Sequence, residues 1–177
     1  MAKPAHITAE YVRSRFDYDP LTGELRWRAL ERGSFFDARW NGRYAGTVAG
    51  HRNKVGYVVI TLNKQFKTLA HRVIWLHVHG AWPTRLIDHK DGVRWNNRLD
   101  NLREATTAQN GWNQAKRKRN TSGSKCVFWD KSRRRWQVMI MANCVLHNLG
   151  RFRSRVDAIA AYQEAALRIH GEFANLD

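Results

Sequence analysis

Hydrophobic and polar positions alternate over several short stretches of the first 70 residues. One stretch holds Leu25 and Trp27, and others run from Tyr44 to Val48 and from Tyr57 to Leu62, with Gly and Asn between them. A period of two residues places alternate side chains on one face of a strand. These stretches predict a small antiparallel sheet, preceded by a short helix that Thr8 caps.

A longer apolar run, LAHRVIWLHVHGAWP, follows at residues 69–83. It is apolar on most sides, reaches Gly80 where a left-handed cap is expected, and meets Pro83 soon afterwards, which predicts a buried helix. Its histidines are candidate metal ligands, but histidines on a mostly apolar helix are more often packed or partly exposed. Packing is therefore the favoured interpretation for His71, His77 and His79.

The stretch IDHKDGVRWNNRLDNLREATTAQN, residues 87–110, is polar and rich in Asn. A brief strand at residues 86–87 leads into Asp88 and His89, and turn-forming residues follow. Thr106 and Gln109 have the spacing of a capping box, so a helix is expected to begin there and to carry Asn110 on its first turns. The Asp-His pair and Asn110 then lie on opposite limbs of one strand–loop–helix unit.

The last 50 residues show both kinds of periodicity. Trp136, Val138 and Ile140 alternate as in a strand, and an alanine-rich segment near residues 158–169 has the spacing of a helix that packs closely. The segment KRKRNTSGS, residues 116–124, precedes them and has the composition of a linker. Its cations are either simply solvated or lie along a phosphate backbone.

The charge balance favours a polyanionic partner. Lys and Arg number 31 against 15 Asp and Glu, which gives a formal charge of +16 and a pI near 10.7. Because positive charge exceeds negative charge along the whole chain, nucleic acid is the favoured partner. A membrane surface is the competing interpretation, but no apolar segment approaches the length of a spanning helix and no signal-peptide core follows Met1. We therefore expect an intracellular protein without a membrane partner, whose Cys126 and Cys144 are reduced thiols.

Residues 87–110 resemble the HNH endonuclease family, in particular its phage and intron-homing branch, where Asn replaces the last His. The resemblance rests on Asp88-His89, on Asn101 in an Asp-Asn-Leu step, and on Asn110 nine residues later. It implies a ββα-metal unit in which His89 is the general base and is also one of the metal-site residues. By the same resemblance Asp88 and Asn110 are metal ligands, and Asn101 completes the catalytic set as the brace of the loop.

The chemistry of these residue types agrees with the implied roles. A phosphodiester is hydrolysed when water is deprotonated, and a neutral imidazole can accept that proton near pH 7. One carboxylate and one amide oxygen suit a hard cation, so Mg²⁺ or Mn²⁺ is the expected cofactor. The alternative is that Asp88, Asn101 and Asn110 only cap turns and helices.

The C-terminal segment is similar to the Apetala-two DNA-binding domain of plant ethylene-response factors. The similarity is carried by Trp129, Trp136, the LGRF step at 149–152 and the final GEFANLD. It implies a three-stranded antiparallel sheet with one helix, whose open face lies in the DNA major groove. The residues transferred to DNA contact are Lys125, Phe128, Lys131, Arg133, Arg135 and Gln137, joined by Lys116 and Arg117 of the preceding segment.

Two departures from that family change the expectation. Cys126 and Cys144 replace family glycines, and Met139 and Met141 occupy strand positions that are often polar or charged. Base reading by Arg or Gln is therefore expected at fewer positions than in the plant proteins, and phosphate contacts at more. The alternative to DNA contact by residues 133–135 is that they form only a solvated turn.

Together these observations predict an α+β protein in four parts. Residues 1–70 form a β-rich region, 71–115 the ββα-metal unit, 116–124 a basic linker and 125–177 the Apetala-two-like domain. The expected function is site-specific cleavage of double-stranded DNA by a homing-type endonuclease from a phage or mobile element. A monomer is expected, with no small-molecule substrate, and the alternative is a sequence-specific DNA-binding protein without catalytic activity.

Overall fold

A computed structural model describes residues 7–31, 33–63 and 66–176 of the chain. The fold is α+β, as the sequence predicts, with small antiparallel sheets and five α-helices in the described ranges. The chain divides into two compact units, residues 1–104 and residues 105–177. The boundary therefore falls inside the stretch 71–115, and the four-part division by function remains a prediction.

In the part of the first unit that the structure describes, there are three α-helices and three small sheets. Its helices are α1 (Ala9–Arg15), α2 (Phe35–Tyr44) and α3 (Ala70–His79). Its strands are β1 (Phe16–Asp19), β2 (Glu24–Trp27), β3 (His51–Arg52), β4 (Val58–Leu62), β5 (Phe66–Leu69), β6 (Leu86–His89) and β7 (Leu102–Ala105), the last of which reaches the unit boundary. The sheets are the β1–β2 hairpin, the meander β3–β4–β5 and the pair β6–β7.

The core of the first unit forms around α3, which is the predicted buried helix. Val73 and Ile74 are fully buried, and Gly80 ends the helix with a left-handed φ of 75°. Val12 of α1 and Ile60 of β4 belong to the same hydrophobic cluster. The predicted cap of α1 is also present, because the hydroxyl of Thr8 accepts a hydrogen bond from the backbone of Tyr11.

Of the strand predicted from Tyr44 to Val48, only an isolated antiparallel bridge between Val48 and Arg26 is present, and Tyr44 ends a helix instead. Residues 35–44 form α2, which Ser34 caps by accepting a hydrogen bond from the Asp37 backbone. None of the ten residues of this helix, all of which are described, is buried. With no buried face, the helix shows little hydrophobic periodicity, which is why the pattern does not reveal it.

The second unit has the predicted sheet and helix. Its elements are α4 (Thr107–Trp112), β8 (Val127–Asp130), β9 (Arg135–Ala142), β10 (Val145–Phe152) and α5 (Arg155–His170). The sheet order is β10–β9–β8, and all pairs are antiparallel. Val138, Ile140 and the alanines at 158 and 166 are fully buried in one cluster, so α5 covers one face of the sheet.

The segment predicted as a linker, residues 116–124, belongs to the second unit. Its end is a closed loop, in which the Asn120 side chain donates to the Ser124 carbonyl and accepts from the Gly123 N–H. Ser122 and Ser124 are buried. The loop is therefore organised by its own hydrogen bonds.

Both cysteines are free thiols, with Cys126 half-buried and Cys144 exposed. Their φ angles of 60° and 62° lie in the left-handed region that glycine tolerates best. Glycine would adopt this conformation at either position without strain. No helix within the described ranges is long and apolar enough to cross a membrane.

Candidate functional site

Asp88 and His89 lie side by side at the end of β6, and both are buried, at 5% and 4% exposure. Successive residues of a strand point to opposite faces, so both faces of this strand end are covered. On one face the partner strand β7 supplies Arg103. On the other face lie Asn97 and two rings, of His71 and Tyr57.

The imidazole of His89 is held by a side-chain amide. Its Nε2–H donates a hydrogen bond to Oδ1 of Asn97 over 3.1 Å. Burial lowers the pKa of His89, and the Asn97 hydrogen bond opposes that shift. The ring is therefore neutral near pH 7, with Nδ1 as the nitrogen that can accept a proton.

A second imidazole lies against the first. The rings of His71 and His89 are edge to face with centroids 5.0 Å apart, and the Tyr57 ring is 6.0 Å from that of His89. Burial, aided by the nearby His89 and Arg72, lowers the pKa of His71 to about 3, so this ring is neutral as well. The guanidinium of Arg94 lies 5.2 Å from the centre of the Tyr57 ring and brings positive charge to the rim of the site.

The other two histidines of α3 lie away from His89. His77 is half-buried, and its Nε2 bonds to the Phe16 carbonyl, whereas His79 is exposed and lies 4.2 Å from the Trp75 ring. Among the described residues, no group of three or more His, Cys, Asp or Glu side chains is placed to hold a metal ion. His71 and His77 are packed as the sequence suggested, and the interpretation that these histidines bind no metal remains a prediction.

Asp88 forms a buried ion pair with Arg103. Both Nε and Nη2 of the guanidinium lie 2.9 Å from the same carboxylate oxygen, Oδ2, and the two side chains are 10% and 6% exposed. This pair holds the carboxylate beside the imidazole in a fixed orientation. It also places a cation where a divalent ion would compete for the carboxylate, so metal affinity in the absence of DNA is expected to be weak.

The Asn101 side chain bridges the loop that follows His89. Its Oδ1 accepts from the Asp91 backbone at 3.0 Å, and its Nδ2 donates to Asp91 Oδ1 at 2.9 Å and to the Asn96 carbonyl at 2.8 Å. The Asn101 carbonyl accepts from the Lys90 N–H. Asn101 thus makes the contacts of a loop brace, while its place in the catalytic set remains a prediction.

Asn110 lies on α4 and belongs to the second unit. The predicted capping box is present, because the Thr106 hydroxyl accepts from the Gln109 backbone and the Gln109 side chain accepts from the Thr106 backbone. Asn110 donates its own backbone N–H to the Thr106 carbonyl. Its assignment as a metal ligand remains a prediction. The donor set of one carboxylate and one amide oxygen fits Mg²⁺ or Mn²⁺ by its chemistry.

Three of the predicted DNA-contacting residues share the open face of the second-unit sheet. Phe128 pairs with Gln137, and Arg135 pairs with Asp130, so these side chains point away from α5. Arg151 of β10 pairs with Gln137 and extends this face. Sequence reasoning missed Arg151, although it directly precedes Phe152 of the LGRF step.

The remaining cations of the set have different surroundings. Lys116, Arg117 and Lys131 are exposed. Arg133 lies 3.4 Å from Asp130, whose pKa falls to about 2 mainly because the Ser132 hydroxyl bonds to it.

Lys125 is used in another way. Its ammonium donates to the Trp112 and Gln114 carbonyls, at 2.6 and 2.7 Å, and so ties the end of α4 to the start of the sheet. These contacts give Lys125 a structural role, so its predicted contact with DNA gains no support from its surroundings.

Sequence reasoning also missed Asn97, Arg103 and Tyr57. Asn97 appears in the sequence only as one of two adjacent loop asparagines, and an Arg fifteen residues after an Asp has no recognisable spacing. The sequence does offer one signal for Asn97: the polar loop contains two successive asparagines, and a turn does not require both.

Comparison with known proteins gives the same assignment for this region. The sequence profile of the HNH endonuclease family matches residues 68–112. Protein 3.8 of Escherichia phage T7 is 38% identical over 107 residues, which are 59% of this chain and 86% of that protein. No solved structure matches the chain significantly. The chain therefore belongs to the same family as Protein 3.8, and it carries an HNH endonuclease domain at residues 68–112.

Proposed function

We propose that the chain is a metal-dependent DNA endonuclease of the homing type, in which His89 deprotonates the attacking water. One observation carries this proposal: within the HNH region, a neutral imidazole is held by Asn97 beside the buried carboxylate of Asp88. A general base must be both unprotonated and fixed in direction. Burial provides the first property, and the Asn97 hydrogen bond provides the second.

The residues of the site have separate tasks in this proposal. Nδ1 of His89 takes the proton from water, and Asn97 keeps the ring in the tautomer that leaves Nδ1 basic. Asn101 braces the loop that follows His89 and contains Asn97. Arg94, at the rim, is suited to contact a phosphate of the bound strand.

Asp88 and Asn110 would hold the divalent ion, and Mg²⁺ or Mn²⁺ fits their oxygen ligands. When bound, such an ion stabilises the charge that develops on the leaving oxygen. Arg103 orients the Asp88 carboxylate for this task. Phosphate oxygens of the DNA would complete the ligands, so ion binding would depend on the substrate.

The second unit is proposed to recognise the DNA site. Support comes from the open face of its sheet, where Arg135, Gln137 and Arg151 lie together with the exposed ring of Phe128. Guanidinium and amide groups are the side chains that read base edges in the major groove. The likeness to Apetala-two domains is part of this proposal, as is backbone contact by Lys116 and Arg117.

A single His89 site cuts one strand in each encounter, so a monomer is proposed to nick double-stranded DNA. Cutting both strands would require two molecules or two encounters. The relation to a phage protein favours action in the cytoplasm of a bacterial host on DNA of a phage or mobile element.

The second candidate function is a DNA-binding protein whose HNH region is only a scaffold. The observation that favours it is the Asp88–Arg103 ion pair, because a guanidinium on the carboxylate can stand in for a metal ion. Both functions predict DNA binding. They differ in whether DNA is cut.

The test uses purified full-length protein and supercoiled plasmids that carry fragments of the genome of origin. Nicked or linear product in Mg²⁺ or Mn²⁺, and none in excess EDTA, is the expected result. Intact plasmid under every divalent ion, with retained DNA binding, would favour the scaffold function.

A further inference from the structure

The β1–β2 hairpin contacts the backbone of Asn97, the residue that holds the candidate base. The hydroxyl of Tyr18 on β1 donates to the Asn97 carbonyl over 3.1 Å. Burial raises the pKa of Tyr18, so the phenol remains protonated and able to donate at neutral pH. A half-buried hydroxyl therefore fixes the main chain directly at Asn97.

The turn of the hairpin approaches the same backbone from its other end. A Cβ atom placed on Gly23 would lie 2.6 Å from the Asn97 carbonyl carbon and 2.5 Å from the Arg98 nitrogen. Contacts this short are not tolerated, and the left-handed φ of 76° also favours glycine at this position. The backbone of the turn thus lies directly against residues 97 and 98.

The shape of this turn is set locally. The Asp19 carboxylate accepts hydrogen bonds from the Leu21 backbone and the Thr22 hydroxyl, and the Asp19 carbonyl accepts from the Gly23 N–H. A turn with three such bonds presents a rigid surface rather than an adaptable one.

The contact continues from Asn97 to the imidazole. Asn97 is 3% exposed, and its Oδ1 accepts from Nε2 of His89. Two independent hairpin contacts therefore fix the backbone whose side chain sets the direction and tautomer of His89. Hairpin, amide and imidazole form one continuous chain of contacts within the first unit.

We propose that the β1–β2 hairpin is a positioning element of the nuclease site, acting through Tyr18 and Gly23 on Asn97 and through Asn97 on His89. This inference rests on the proposed function of His89 as the base. It assigns the N-terminal hairpin a role in the chemistry itself, in addition to its packing in the core.

The decisive variant is Tyr18→Phe, which removes only the hydroxyl. Tyr11→Phe is the matched control, because Tyr11 packs against the same core cluster but is not part of this chain of contacts. Loss of positioning lowers kcat on the order of 10-fold for Tyr18→Phe while KM for DNA stays the same, because a small misplacement of a catalytic group is costly. Tyr11→Phe is expected to keep the wild-type kcat.

A second pair of variants separates positioning from packing. Asn97→Leu has nearly the same shape without an acceptor and is expected to lose most of kcat. Asn97→Asp keeps an oxygen at the same place and is expected to retain more activity than Asn97→Leu. Thermal unfolding of every variant shows whether the protein is folded at the assay temperature. Equal losses in the two variants, or a Tyr18→Phe enzyme with wild-type kcat, would overturn the proposal.

A spectroscopic measurement keeps the inference testable apart from cleavage. Imidazole ¹H–¹⁵N correlation spectra of the metal-free protein near neutral pH report which nitrogen of His89 carries the proton. The wild type and Tyr11→Phe are expected to show protonated Nε2, and Tyr18→Phe and Asn97→Leu a mixture of tautomers. Unchanged His89 signals in both latter variants would refute the positioning role. Wild-type protein that never cuts DNA would instead refute the proposed function.

Discussion

The Arg103 guanidinium places a fixed positive charge on Asp88, in a site whose proposed chemistry needs a divalent cation. Both side chains are almost fully buried, so neither charge is well solvated by water. Removing the cation that pairs with a buried carboxylate strongly destabilises the folded protein, unless another cation takes its place. In the proposed site, Arg103 and the metal ion would therefore be partial substitutes at Asp88, and protein stability would report on metal binding.

Replacing Arg103 by Met tests whether a metal ion can take the place of the guanidinium beside Asp88. The variant Arg103→Met leaves Asp88 without its guanidinium, and we expect it to lower the free energy of unfolding by about 3–5 kcal/mol. Added Mn²⁺ should raise the Tm of this variant more than that of the wild type, because the ion then binds without competition. Thermal unfolding with and without Mn²⁺ measures both effects. The double variant with Asp88→Asn is the control and should not respond to Mn²⁺; an Arg103→Met response equal to that of wild type would contradict this account.

Sequence reasoning identified the residues with characteristic spacing and missed those that act through the fold. Asp88, His89 and Asn101 follow one another along a short stretch, and Asn101 contacts the loop that follows His89. Asn97 could be read only as a turn former, and Tyr18 lies 79 positions before it. Contacts across such distances depend on how the hairpin packs, which no local pattern encodes.

At the scale of elements, the turn between β9 and β10 has a backbone geometry that does not suit one of its two residues. Asn143 and Cys144 form a two-residue connection, and both have positive φ, 49° and 62°. A two-residue hairpin turn with positive φ at both positions prefers Asn followed by Gly. Asn fits the first position, but a cysteine in the left-handed region is strained.

Replacing Cys144 by Gly should therefore stabilise the protein. Relief of left-handed strain at one residue is worth about 1–2 kcal/mol, less the greater freedom of glycine in the unfolded chain. We expect a net gain of about 0.5–1 kcal/mol for Cys144→Gly in urea unfolding, and none for Cys144→Ala, which keeps the Cβ atom. Equal stability of the two variants would show that the turn carries no strain.

The elements that the sequence predicted are those with a buried face. Helix α3 and strand β9 have clear periodicity because a core lies on one side of each. Helix α2 was missed because it buries none of its described residues. Its cap at Ser34, with Asp37 three residues later, was the local signal that could have indicated it.

For the whole molecule, the excess positive charge is proposed to supply affinity for DNA without selecting a sequence. Phosphate contacts weaken steeply with salt, whereas base-edge contacts discriminate between sequences. We propose that Arg135, on the open face of the second-unit sheet, discriminates between sequences. The exposed Lys116 and Arg117 are proposed to contact phosphates. Variants at the two places should therefore fail in different ways.

Competitive binding to target and scrambled duplexes at two salt concentrations tests this division. Arg135→Ala should reduce discrimination by about 1–3 kcal/mol if the guanidinium makes a bidentate base contact. Lys116→Ala should weaken binding to both duplexes alike and reduce the salt dependence. If Arg135→Ala keeps full discrimination, specificity is supplied elsewhere in the molecule, and the proposed recognition by the second-unit sheet is wrong.

The most direct test of the central claim is cleavage by His89→Ala beside a histidine control from the same unit. His79→Ala is that control, since His79 is exposed on α3 and outside the site. Both proteins are assayed on a plasmid that the wild type cuts, together with binding to the same DNA in EDTA. We expect His89→Ala to bind normally and to cut about 10²–10⁴-fold more slowly, as for loss of a general base, while His79→Ala cuts at the wild-type rate. Undiminished cleavage by His89→Ala would contradict the assignment of His89 as the catalytic base.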